Sequence, residues 1–109
     1  MHELSITRNI VATCAEHAGE RKVSAVKLKV GKLSGIEVQA LRFCFDVCTK
    51  GTVLEGAELR IDEIAGRGEC LGCGKDVAVE RLVAICPCEK RARLNLVAGE
   101  ELLIHAMEV

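Results

Sequence analysis

Two closely spaced cysteine pairs, Cys70-Leu71-Gly72-Cys73 and Cys86-Pro87-Cys88, constrain this 109-residue chain more than any other feature. The two-residue spacing of the first pair lets both thiolates grip one tetrahedral ion, while N–H groups of the intervening turn point at the sulfurs. Gly72 and Gly74 suit the tight turn this requires. Twelve residues separate Cys73 from Cys86, enough to bring the second pair back as a ribbon. Four sulfurs with no histidine nearby predict a closed, structural zinc site. The second pair is tighter. Side chains two apart on an extended backbone face opposite ways, so Cys86 and Cys88 share an ion only if Pro87 sits in a bend. Glu89 is the alternative oxygen donor at that corner. Metal-free thiols and a thiol-exchange pair are the competing readings, and the second lacks a thioredoxin-like βαβ context.

The remaining composition removes other function classes. Lys and Arg number 15 against 16 Asp and Glu, a net charge of −1, which gives no electrostatic footprint for nucleic acid or an anionic membrane. Phe43 and Phe45 are the only aromatic residues, so an aromatic platform for stacking bases is not expected. The apolar runs are only a few residues long, far short of a membrane span. Met1-His2-Glu3-Leu4 is not a basic leader, and the expected compartment is therefore the reducing cytoplasm. There, seven clustered or scattered cysteines favour metal over disulfides.

Periodicity predicts a small mixed α+β fold. Leu4, Ile6, Ile10, Val11, Cys14 and Ala18 recur at helical spacing, with Gly19 as the stop. Val26, Leu28 and Val30 alternate with Lys27, Lys29 and Gly31, as in a half-buried strand within residues 23–33. A second helix is expected from Glu37 to Thr49, its stripe of Leu41, Cys44, Phe45 and Cys48 widened by Phe43 and Val47 so that it packs on more than one side. A strand follows from Ala57 to Ile64, then short strands at 77–82 and 93–97, and a last strand at 102–109 that returns to the first sheet. Cys44 and Cys48, one helical turn apart, could in principle chelate, but their apolar neighbours favour buried apolar residues, and Cys14 reads the same way. His17 reads as a group compensating a helix dipole, and His105 as a surface residue of a strand.

The amino terminus has its own chemistry. The α-amine of Met1, the amide and imidazole of His2 and the amide of Glu3 can close fused chelate rings around a divalent ion, a planar nitrogen set suited to nickel(II) or copper(II). On composition alone, a terminal histidine is usually just exposed and disordered.

Met1-His2-Glu3-Leu4, Val30-Gly31-Lys32-Leu33-Ser34-Gly35-Ile36-Glu37, Leu41-Arg42-Phe43-Cys44-Phe45, Lys50-Gly51-Thr52 and the late cysteine pairs together resemble the HypA/HybF family, the nickel metallochaperones of nickel–iron hydrogenase maturation. The resemblance runs the length of the chain. It implies a nickel-binding α/β domain, residues 1–65 with 99–109, and an inserted zinc-ribbon-like domain, residues 66–98. It also implies that Met1, His2 and Glu3 hold Ni(II), with Glu37 as an acidic residue that family members can add, while Cys70, Cys73, Cys86 and Cys88 hold Zn(II). Implied partners are the GTPase HypB and the hydrogenase large-subunit precursor, with the chaperone a monomer or weak homodimer. The chain departs from the family at Cys86-Pro87-Cys88, where Cys-Pro-x-Cys is usual. No nucleophile–base or paired-carboxylate constellation is present, so the expected mechanism is binding and transfer through a flexible terminus, not catalysis. The competing function is a zinc-ribbon module that binds protein or nucleic acid without moving nickel, and it would need a basic face. Arg81, Lys90, Arg91 and Arg93 are offset by Glu69, Asp76, Glu80 and Glu89.

Overall fold

Residues 2–79 and 94–109 are described by the computed structural model of the protein. They form, in chain order, α1 (His2–Ala18), β1 (Ala25–Gly31), α2 (Val38–Cys48), β2 (Glu58–Ile64), β3 (Arg67–Cys70), β4 (Asp76–Ala78), β5 (Leu94–Ala98) and β6 (Leu102–Glu108). Contacts divide the chain into one unit of Met1–Lys29, Ile36–Asp62 and Leu103–Val109, and another of Val30–Gly35 and Glu63–Leu102. The segment at 30–35 thus groups with the later strands, although it is far from them in sequence. The cause is backbone pairing: Gly31 N–H donates to Glu101 O (2.7 Å), Lys32 N–H to Ile64 O (2.8 Å) and Leu33 N–H to Gly99 O (2.7 Å).

In the first unit, the alternation in β1 sets the core. Val23, Val26 and Leu28 are at most 1% exposed, while Lys27 and Lys29 lie on the other face. The sheet order is β2-β1-β6, so the last strand does pair with the first. Ser24 N–H donates to Glu108 O (2.8 Å), and Glu58 N–H donates to Ser24 O (2.9 Å). From α1 come Ile10, Val11, Cys14 and Ala18, all buried. Thr7 is buried among them, and its hydroxyl donates to Glu3 O (2.5 Å), which satisfies the one polar atom that the face carries inward. Gly19 N–H closes the helix on Ala15 O (3.0 Å), and the Arg21 guanidinium covers the carbonyls of Ala18 and His17. His17, in the last turn, bonds Thr13 O through Nδ1 (3.0 Å), and it stands where a cation complements the dipole.

The second helix is narrower than its sequence suggests. Leu41 and Phe45 are buried, but Phe43 is 70% exposed and Val47 48%. Residues two apart on a helix differ by roughly 200° in direction, so Phe43 points away from the core that Leu41 and Phe45 fill. Cys44 and Cys48 are half-buried at the stripe's margin. In the second unit, β3 is the middle strand of the order β4-β3-β5, antiparallel to both neighbours, with Glu69 opposite Asp76 on one side and Cys70 opposite Leu94 on the other. Gly66 precedes β3 because a Cβ there would stand 2.1 Å from Val79 O and 2.7 Å from Leu33 Cδ1. No described helix is long and apolar enough to cross a membrane.

Replacing Phe45 with Ala should cost about 3–5 kcal/mol of unfolding free energy through the cavity it leaves. Phe43→Ala should stay within about 0.5 kcal/mol. Urea unfolding followed by circular dichroism distinguishes the two.

Candidate metal centres

α1 begins at His2, so the residue expected to hang in a disordered terminus is the first residue of a helix. Its position fixes the chemistry of the backbone there. The first N–H groups of a helix have no acceptor one turn back, and they are the groups that a planar nitrogen set would recruit. One residue on, Glu3 reaches across to the other helix. Glu37 N–H donates to Glu3 Oε2 (3.2 Å), joining residues 34 apart in sequence. Glu37 is itself the N-cap of α2, with extended backbone (φ −82°, ψ 108°), and its Oε1 accepts from Gln39 N–H (3.1 Å). Glutamate replaces the shorter side chains usual at that position. The two acidic site candidates are therefore neighbours, and the two helices meet at their N-terminal ends. The N–H of Glu37 first, and that of Glu3 itself second, hold the Glu3 carboxyl below its ordinary value of 4.5. Met1 lies outside the described residues.

The Cys70–Cys73 turn joins β3 to β4. Cys70 N–H donates to Lys75 O (3.0 Å) and Gly74 N–H to Cys70 O (2.9 Å), which closes the loop. Gly74 lies in the left-handed region at φ 77°, where a side chain would be strained. The result is that two amides, Gly72 N–H and Cys73 N–H, each approach Cys70 Sγ at 3.3 Å. Cys70 is 2% exposed, whereas Cys73 faces outward. Amide dipoles converging on a buried sulfur suit a thiolate that ligates a metal. Cys86 and Cys88 lie outside the described residues. Among the described residues, no three His, Cys, Asp or Glu side chains gather round one point. The sequence announces neither β3, the strand that leads into the Cys70 turn, nor the Glu3–Glu37 hydrogen bond. The local signal of that bond is an acidic residue immediately before an apolar helical run, a capping position.

Residues 1–109 match the family described as hydrogenase/urease nickel incorporation, metallochaperone, hypA. The chain is 51% identical over 109 residues to the hydrogenase maturation factor HypA of Nostoc punctiforme, covering 100% of this chain and 96% of that one. It is 46% identical to the factor of the same name from Geobacter metallireducens, covering 100% and 99%. Its fold is similar to the solution structure of a HypA protein, with TM-score 0.72 at 24% identity, covering 100% and 96%. The solution structure of the Ni metallochaperone HypA from Helicobacter pylori gives TM-score 0.66 at 22% identity, covering 98% and 96%. The class so defined is the nickel-incorporation metallochaperone of hydrogenase maturation, a protein that carries an ion and catalyses no reaction of its own. The chain belongs to the HypA family.

The folded-state depression of Glu3 has a directional consequence. A carboxyl whose folded pKa lies below its unfolded value contributes stability that is complete above the unfolded value and is lost as pH falls through the folded one. Glu3→Gln should therefore lower the melting temperature at pH 7 in nickel-free protein. The deficit should close in acid, once the wild-type carboxylate is protonated, as thermal melts across pH will read.

Proposed function

We propose that the protein binds Ni(II) at its amino terminus and hands it on during nickel–iron hydrogenase maturation. The ligand set is the Met1 α-amine, the His2 amide and imidazole, and the Glu3 amide, with Glu37 Oε2, the oxygen outside the cap, as the donor that α2 can add. The observation that carries this reading is the start of α1 at His2 with Glu3 pinned to Glu37. Using the first helical amides as ligands sacrifices no hydrogen bond within the helix. A cation at the positive pole of a helix is ordinarily disfavoured. Loss of two amide protons makes the Ni(II) unit neutral, and the Glu3 carboxylate adds negative charge beside it. Few side chains hold the ion, so a receiving site can replace the ligands one at a time.

The test is a nickel titration of untagged, zinc-loaded protein against His2→Ala, with native mass spectrometry counting both metals. Intact mass first establishes that Met1 is retained. Wild type should bind one nickel, and the variant should bind at least tenfold more weakly while keeping its zinc. Equal uptake by both would refute the terminal site.

Cys70 and Cys73, with Cys86 and Cys88, would hold zinc as a closed thiolate site that contributes folding free energy to residues 66–98 and takes no part in transfer. The converging amides at Cys70 Sγ fit that role. Stripping the zinc with a strong chelator should accelerate amide hydrogen exchange across β3 and β4 and leave α1 and β1 protected. Uniform protection throughout would remove the structural role. The GTPase HypB and the hydrogenase large-subunit precursor are the proposed partners, in the cytoplasm, with the chaperone a monomer or weak homodimer.

A further inference from the structure

Cys44 and Cys48 lie one turn apart on α2 as reduced thiols, both half-buried. Neither has a place in the nickel or the zinc chemistry above. Their stripe-mates Leu41 and Phe45 are 0% and 2% exposed, so the two thiols occupy the accessible margin of the stripe. Cys48 opens into a cavity of ≈ 410 Å³ that Leu4, Arg8, Val11 and Val47 also line.

We propose that Cys44 and Cys48 form a two-thiolate clamp for a soft monovalent ion, with copper(I) as its representative. Helical residues four apart have Cβ atoms about 5–6 Å apart. Two sulfurs, each about 2.3 Å from a shared metal, need stand no more than roughly 4.6 Å from one another, a gap that rotation about two side-chain bonds closes. On binding, two S–H bonds lose their protons to solvent and two Cu–S bonds form, with no change of oxidation state. The product carries one negative charge. Arg8 lines the cavity on the Cys48 side of the pair, which Cys44 does not line, and supplies the compensating positive charge there, while Leu4, Val11 and Val47 give it apolar walls that suit a soft, weakly hydrated ion. Zinc and nickel demand more ligands than two, and no third His, Cys, Asp or Glu joins the pair among the described residues. Cys14 takes no part, because it lines a separate cavity with His17, Ile104 and Met107.

The experiment supplies one equivalent of copper(I) to zinc-loaded full-length protein in the presence of a colorimetric copper(I) chelator. Wild type should withdraw one equivalent from the chelator, and Cys44→Ser and Cys48→Ser should each withdraw at least tenfold less with zinc content unchanged. Alkylation mapped by mass spectrometry on the wild-type chain needs no variant. Bound copper(I) should protect Cys44 and Cys48 together and leave the reactivity of Cys73 as it was. Equal copper uptake by wild type and variants overturns the clamp. So does protection that falls on Cys70 and Cys73 with release of zinc.

Discussion

The strand β1 is the constraint on which the structure depends. Among the described strands of its sheet, it alone has a neighbour on each side. Val26, Leu28 and Val30 are each buried to within 1% of completely, and each such side chain contributes about 1.5–3 kcal/mol relative to exposure. The residues at its ends spend their backbone groups in both contact units: Ser24 pairs with Glu108 and Glu58 in one, and Gly31 with Glu101 in the other. A strand committed on both edges leaves its side chains no choice of face, so Lys27 and Lys29 are turned out by the same register that turns the valines in.

Much of this was legible from the chain alone, for physical reasons that differ between elements. Period two in 26–30 and period 3.6 in 4–18 are properties of a core on one side, and both carried through to β1 and α1. The second helix shows the limit. Its ends were readable, because Glu37 caps it and Lys50-Gly51 cannot prolong it, but its width was not. Hydrophobicity at Phe43 and Val47 says nothing about direction, and the helical angle places both away from Leu41 and Phe45. Of the candidate sites, the Cys70 turn follows from local spacing. The approach of Glu3 to Glu37 does not, because it depends on how two helices distant in sequence come to lie with their N-terminal ends together.

The two proposed ion sites use opposite physics for opposite tasks. Around Cys70, sulfur that is buried and faced by two amides would make a site from which the proposed zinc could leave only by stranding a thiolate. At the other end of the chain the proposed donors are mostly backbone nitrogen, with one imidazole. Retention and surrender of an ion are thus separated by ligand type as well as by place.

Because α1 begins at His2, any ion held by the first amides sits on the end turn of a helix, the part that frays most readily. Handing over the cargo then becomes a matter of unwinding. In the proposed site, each contact that tightens that turn, Glu3 on Glu37 foremost, would lengthen the residence time of the ion. A receiving protein would then need to melt only a few residues to take the ion from the proposed site.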